Sequence, residues 1–436
     1  MNKVFMMQKP SFILPVLVFL ALVCLPVKAG AVNRIQPVGD VPVIIIDPGH
    51  GGENLGTTDN DHLEKQMNLI TAKAMYEALC QYDNVEVYLT RTEDSEPTLK
   101  ERAQFAADKN ADFVFSIHYN ASENHQLFGS ELWVPLQEPF NNYGYQFGCE
   151  YLELMRQNGL FLRGIKTRRN SKGLDYYGII RECASLNIPA VILEHCHVDE
   201  AHDEAFCATE EDLIRFGLQD AEAVARYFGL KSSISGADYS EYALVSCDPS
   251  APVVRTLPDL TAPDFCRLEF VDADMEMLTL KVSVSAQDKD STLLYYDFSL
   301  DGGQTFSARF PWSGSDALTG AYEPSLNLTV SVPDGTQPKL IVRAYNGFDL
   351  FTQSNVYESP EVFIAAKNEP SEDKALPGAP VPIESIAQVT DENNLFHSEQ
   401  LMIVVFLVLT ILASLLILWM FARYLVSEGS KSSKQQ

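Results

Sequence analysis

Along residues 42–229, short unbroken apolar runs alternate with stretches whose apolar residues recur every three or four positions. Val43-Ile44-Ile45-Ile46 has no polar interruption, the pattern of a strand covered on both faces. Further strands are predicted at residues 85–90, 113–117, 132–134 and 190–193, with helices at 64–81, 99–109, 142–158 and 210–228. Such alternation predicts an α/β domain built on a twisted, mostly parallel sheet flanked by helices. Residues 230–262 lose the periodicity and carry Ser, Pro and Asp, as a linker does. From 263 to 365 the period becomes two. Leu278, Leu280, Val282 and Val284 alternate with Thr279, Lys281 and Ser283, as do Leu326, Leu328, Val330 and Val332 with Asn327, Thr329 and Ser331. With a hairpin-turn signal at Ser299-Leu300-Asp301-Gly302-Gly303, this predicts an all-β, immunoglobulin-like sandwich. Residues 366–398, acidic and containing Pro370, Pro377, Pro380 and Pro382, read as an extended linker.

Two longer apolar segments lie outside these domains. The first, residues 12–25, follows Lys3 and Lys9 and precedes Val27-Lys28-Ala29, so residues 1–29 are predicted to be a secretory signal peptide. The second, residues 401–421, has no charged residue and predicts a transmembrane helix at 400–422. Trp419 and Tyr424 suit its interface, and Arg423, Lys431 and Lys434 mark 423–436 as a cytoplasmic tail. The expectation is a single-pass protein of the cell membrane, with the α/β and β-sandwich domains outside the cytoplasm.

Charge sharpens this picture. The 436 residues carry a formal net charge of -27, which excludes nucleic acid as a partner because its recognition needs a basic face. Lys3, Lys9 and Lys28 are the only charged residues of the signal segment and the tail stands at +2, so the exported part carries -32. Attraction to an anionic wall by charge alone is excluded as well. Of the seven cysteines beyond Cys24, none forms a paired CxxC pattern; Cys247 and Cys266 are a candidate bridge, and most others fit as small buried apolar residues.

Polar residues gather where the apolar runs of the first domain end. Asp47-Pro48-Gly49-His50-Gly51-Gly52 follows the first strand and puts His50 on a glycine-rich turn. The third strand ends in Ser116-Ile117-His118-Tyr119-Asn120 and the fifth in Leu193-Glu194-His195-Cys196-His197, while Glu64 opens the first helix. In open α/β sheets ligands bind at the carboxyl ends of strands. Two histidines and two glutamates there fit a catalytic zinc, which takes three protein ligands and leaves a place for water that a carboxylate can deprotonate. Position alone leaves open which glutamate ligates and which acts as base. Asp47 reads as a hydrogen-bond acceptor within the loop.

At these residues the chain resembles the zinc-dependent N-acetylmuramoyl-L-alanine amidases of bacterial cell walls. The DPGHGG segment at 47–52, Leu63-Glu64-Lys65-Gln66-Met67-Asn68-Leu69, Leu89-Thr90-Arg91, Ser116-Ile117-His118-Tyr119-Asn120-Ala121 and Ile188-Pro189-Ala190-Val191-Ile192-Leu193-Glu194 are similar to successive family motifs. Arg163-Gly164-Ile165-Lys166 and Tyr176–Arg181 also look familial. The resemblance implies Zn(2+) held by His50, Glu64 and His118, with Glu194 as catalytic base. It implies peptidoglycan as substrate, cut at the amide between N-acetylmuramic acid and L-alanine. Candidate substrate-binding residues are Asn120, which would orient a ligand or the loop, Arg91, Arg163 and Arg181, which would meet stem-peptide carboxylates, and His197 on the cleft wall. His62, His125, His195 and His202 read as surface residues. Glu53, His62-Leu63 and His195-Cys196-His197 depart from the family pattern without removing a ligand. Two rival readings are a non-catalytic peptidoglycan-binding or regulatory protein and a zinc peptidase acting within the stem peptide. By fold analogy the sandwich serves as a spacer or binds the wall or a protein partner.

Overall fold

A computed structural model of the protein describes residues 35–59, 62–245, 247 and 258–365. The signal peptide expected at 1–29, the linker at 366–398, the span at 400–422 and the tail at 423–436 lie outside the described residues. Among the described residues, no helix is long and apolar enough to cross a membrane.

The N-terminal α/β part runs β1 (Val43–Pro48), β2 (Thr58–Asp59), β3 (His62–Leu63), α1 (Glu64–Leu79), β4 (Glu86–Leu89), α2 (Leu99–Asp108), β5 (Phe113–Asn120) and β6 (Ser130–Trp133). It continues through α3 (Phe140–Gln157), β7 (Leu162–Lys166), α4 (Gly178–Ser185), β8 (Ala190–His197), α5 (Ala201–Cys207) and α6 (Glu210–Phe228). The main sheet has the order β4-β1-β5-β8-β6-β7. Successive residues of β1 explain its unbroken apolar run. Ile44 and Ile46 enter one core with Phe113, Phe115, Phe147 and Tyr227, while Ile45 enters the other with Val114, Ile179 and Ile192. Hydroxyl caps start two of the flanking helices: Thr98 with Glu101 at α2 and Thr209 with Asp212 at α6, each a reciprocal capping box.

Four strands, β4, β1, β5 and β8, are mutually parallel, but β6 pairs antiparallel with β8 and β7 runs with β6. Four of the five pairings are thus parallel, as the sequence suggested, and the single antiparallel pairing of β6 with β8 makes the sheet mixed. The connection from β5 to β6, residues 121–129, holds no helix and is too short for the crossover that a parallel return requires. The chain turns back there instead.

The C-terminal part is all β. The strands β9 (Phe265–Asp274), β10 (Thr279–Gln287) and β13 (Ser325–Ser331) form a sheet ordered β13-β10-β9. In the second sheet β12 (Phe310–Pro311), β11 (Leu293–Ser299), β14 (Lys339–Asn346) and β15 (Phe351–Gln353) follow in that order, with β16 (Tyr357–Glu358) on β14. The period of two is visible in burial: Leu280, Val282, Val284 and Ala286 of β10 are buried and alternate with more open positions.

Two compact units result. Of the described residues, the first comprises those up to 271, 282–327 and 337–362, and so contains the α/β sheet together with the whole of the second β-sheet. In this unit Leu294, Tyr295 and Tyr345 pack with Phe128 and Phe161, and the Tyr295 hydroxyl donates to the Phe128 carbonyl. The second unit contains, of the described residues, 272–281, 328–336 and 363–365. It is tied by Val332 N donating to Leu278 O at 2.8 Å and Gly335 N to Phe363 O at 2.7 Å.

Cys247 is joined to Cys149, not to Cys266, across a sequence separation of 98 residues. Cys266 is buried, its thiol directed at the Val342 carbonyl 3.8 Å away. Closing a loop of that size removes unfolded-state entropy, so Cys247→Ser should lower the unfolding free energy by about 2–5 kcal/mol in urea titrations. An unchanged midpoint in oxidised protein would show that the bridge does not form.

Candidate active site

The site is assembled by a loop, a helix start and two central strands. After β1 the chain passes through His50 at a φ of 59°, a left-handed conformation that costs a non-glycine residue free energy. Two buried arginines hold it there. Arg91 donates from Nε to Pro48 O at 2.9 Å and from Nη2 to Gly49 O at 2.8 Å and Lys65 O at 2.7 Å. Arg102 donates to Pro48 O and His50 O, each at 2.7 Å, and pairs with Asp47 Oδ1 at 2.7 Å. Asp47 also accepts from Thr90 Oγ1 at 2.6 Å and Ser116 Oγ at 2.8 Å. Burial opposes its charge, but Arg102 and these donors outweigh burial and hold the carboxyl below its ordinary range.

The loop brings three side chains together. Glu64 Oε1 lies 3.2 Å from His50 Nε2 and 2.9 Å from His118 Nδ1, and it accepts from Tyr119 N at 3.3 Å. Its second oxygen accepts from Thr57 N at 2.7 Å. Burial disfavours the Glu64 carboxylate, but the two histidines more than compensate and hold it well below the carboxylate range. The potential ligand atoms of His50, Glu64 and His118 all lie within 4.8 Å of one another. Backbone shape keeps this space clear. A Cβ on Gly49 would stand 2.2 Å from the His118 ring, and one on Gly56 would stand 2.5 Å from Glu64 Oε2 and 2.7 Å from the His50 ring. Two imidazoles and one carboxylate, with room preserved between them, suit a zinc ion.

The sheet register continues the site sideways. His118 on β5 is directly opposite Glu194 on β8, which in turn is opposite Glu131 on β6. Glu194 is nine-tenths buried, and its Oε2 has no hydrogen-bond partner among the described residues. Burial, then the charges of Glu64 and Glu131, raise its carboxyl well above the usual value. Glu131 is neutralised instead: it accepts from Asn120 Nδ2, Arg163 Nε and Lys166 Nζ, each at 2.8 Å. Burial opposes its charge, yet Lys166 and Arg163 keep it far below the carboxylate range.

Several sequence-based assignments change. Arg91 is buried behind the His50 loop and has no face toward a substrate. Arg181 donates from Nη1 to Asp175 O at 2.9 Å and Tyr176 O at 3.2 Å, bracing the segment ahead of α4. Arg163 is buried and spent on Glu131, Tyr295 and Asp349. Asn120 and His197 do line the cleft beside Glu131. His197 Nδ1 is 3.2 Å from Gly129 O, and its Nε2 is buried without a partner. His195, expected at the surface, is fully buried, because alternation along β8 turns it into the core away from Glu194. Its Nδ1 donates to His118 O at 3.0 Å and its Nε2 pairs with Asp220 at 2.9 Å, steadying the strand that carries His118. His125 and His202 are exposed and His62 is partly so. Glu131 and Lys166 were missed. The signal for Glu131 was a lone acid inside the apolar run Ser130-Glu131-Leu132-Trp133-Val134.

Residues 44–226 match the family model of the N-acetylmuramoyl-L-alanine amidases. An N-acetylmuramoyl-L-alanine amidase, CwlM, of Bacillus licheniformis is 30% identical over 191 residues, 44% of this chain and 70% of that protein. The sporulation-specific amidase of Bacillus subtilis is 29% identical over 197 residues, 45% of this chain and 72% of its own. Among solved structures, the catalytic domain of the amidase CwlV from Bacillus (Paenibacillus) polymyxa var. colistinus shares 28% identity. It covers 44% of this chain and 100% of its own, with a TM-score of 0.39. The match to the family model and to these two relatives marks the chain as a cell-wall hydrolase. The chain belongs to the N-acetylmuramoyl-L-alanine amidase family, and it is an enzyme of that activity.

The Asp47–Arg102 pair yields a pH-dependent prediction. Arg102→Leu should destabilise the fold by about 3–5 kcal/mol at pH 7, because it strands a buried charge. Asp47 titrates lower in the folded than in the unfolded chain, so its contribution is present above about pH 4 and is lost as pH falls through the folded value. The penalty for Asp47→Asn in thermal unfolding should therefore shrink on acidification; a penalty independent of pH contradicts this account.

Proposed function

We infer that this amidase is zinc-dependent and cuts the amide between the lactyl group of N-acetylmuramic acid and L-alanine of the peptide stem. His50, Glu64 and His118 would hold the ion, and Glu194 would be the general base. One observation carries the reading: a buried, unpartnered carboxylate oxygen on Glu194, one strand from His118 in a site with room kept clear by Gly49 and Gly56. Bound zinc supplies a lowered pKa for water, toward about 7, and polarises the substrate carbonyl.

The chain's own groups do the rest. Among the described residues Glu194 Oε2 has no competing donor, and it has a raised proton affinity, which suits it to take a proton from water and return it to the departing alanine nitrogen. Asn120, Arg163 and Lys166 fix Glu131 beside it, so that a second carboxylate stands next to the base in a defined orientation. The apolar segment 401–421 and its basic flank support tethering at the cell membrane with the enzyme outside. The all-β part is read as an immunoglobulin-like module that meets the wall or a protein partner.

Digestion of purified peptidoglycan, followed by mass spectrometry of the new termini, tests this reading. Released stem peptides should begin with a free L-alanine amine. Glu194→Gln should lower kcat by about 10²–10⁴-fold while the protein retains its zinc. Cuts within the stem would identify a peptidase, and intact peptidoglycan together with zinc-free protein would oppose both the metal and the reaction.

A further inference from the structure

Glu131, Asn120 and His197 line a cavity of about 600 Å³. Arg168 and Arg169, which no family motif marks, line it as well. The turn Phe348-Asp349-Leu350 between β14 and β15 of the all-β part, within the same compact unit, supplies another part of the wall. We propose that this cleft contains an anion-binding subsite, in which Arg168 and Arg169 receive a free carboxylate of the peptide stem while the Phe348–Leu350 turn limits its width. The proposal rests on the reading above that the cleft takes the stem peptide.

The cations of the cleft fall into two classes. Arg163 and Lys166 are 3% exposed and already paired, Arg163 with Glu131 at 2.8 Å and Asp349 at 2.7 Å, Lys166 with Glu131 at 2.8 Å. Their charge is consumed within the protein. Arg168 and Arg169 are exposed, and neither has a carboxylate within ion-pair distance among the described residues. The Arg168 guanidinium lies over the Tyr176 ring at 3.8 Å and shares a hydrogen bond with the Tyr177 hydroxyl, two contacts that orient its plane without neutralising its charge. Free arginines side by side repel each other, and in a chain of net charge -27 carboxylate partners are abundant. Two arginines that line a cleft without a carboxylate among the described residues suit an anion that arrives with the substrate. A guanidinium fork matches a carboxylate in a bidentate manner, and the peptide stem carries free carboxylates along its length.

Spacing agrees with this. β7, which leads into Arg168, lies two strands from β8, so the two backbones run about 10 Å apart, or roughly three residues of extended peptide. The Phe348–Leu350 part of the wall is rigid. Asn346 accepts from Phe348 N at 3.0 Å and Leu350 N at 3.1 Å while its amide donates to Asp259 and Asp288. Asp349 is anchored by Arg163 and by Arg309 at 2.9 Å. The turn is thus fixed before a substrate enters, which is what a specificity-determining wall requires.

Isothermal titration of the full-length protein with a synthetic stem peptide that begins with L-alanine and carries free carboxylates tests the subsite without needing turnover. The double variant Arg168→Gln/Arg169→Gln should weaken binding at least tenfold, and wild-type protein should show the same loss toward the fully amidated peptide. On peptidoglycan fragments the double variant should raise KM by a similar factor with kcat within about twofold, and Phe348→Ala should raise KM several-fold. Equal affinity of wild type and double variant for the free peptide, or no preference for carboxylate over amide, would overturn the subsite. Arginine-dependent binding without cleavage at the muramoyl–alanine amide would leave the subsite standing and refute the catalytic reading on which substrate assignment rests.

Discussion

His50 faces Glu64 and His118 only while the backbone from Pro48 to His50 keeps a conformation it would not choose alone. Arg91 and Arg102 impose it by donating to the carbonyls of Pro48, Gly49 and His50, and Asp47 holds Arg102 in place from beneath. Every later feature of the site depends on this clamp. It sets the distance between the two imidazoles, and therefore the position of the Glu64 carboxylate between them. The cost is three buried charges, offset because each is hydrogen-bonded to a fixed partner.

From that fixed corner the sheet extends the chemistry by register. His118, Glu194 and Glu131 lie opposite one another on neighbouring strands, so three polar groups share one line across the edge of the sheet. Their environments pull them apart. Glu131 is surrounded by cations and stays charged, whereas Glu194 is buried beside other negative charges and binds a proton more tightly. Two similar carboxylates a strand apart thereby acquire different work. Beneath them Asp220 and His195 brace the His118 carbonyl, a support on the core side of the sheet.

Much of this was legible in the chain because polar residues that interrupt apolar strands are conspicuous. His50, His118 and Glu194 each end an apolar run, and Glu64 follows a two-residue strand at the first helix start. The direction of β6 and β7 was not legible in the runs themselves, since a strand reads the same either way; only the short 121–129 connection carries the information. Arg91 and Arg181 looked like substrate ligands because an arginine near a motif gives no sign of whether its fork meets backbone carbonyls or solvent. His195 was misjudged for a related reason, as a histidine paired with a distant Asp220 needs a tertiary contact across 25 positions to be understood. The pairing of Cys149 with Cys247 joins α3 to the segment after α6, again beyond local pattern.

The central claim is that His50, Glu64 and His118 form one metal centre next to Glu194. Anomalous diffraction at the zinc edge, from crystals of protein loaded with one equivalent of zinc, tests it most directly. The account predicts a single strong peak bonded to those three side chains. A peak at the other grouping of suitable donors among the described residues, Asp59, His125 and Asp199, with none at the His50 loop, would contradict it.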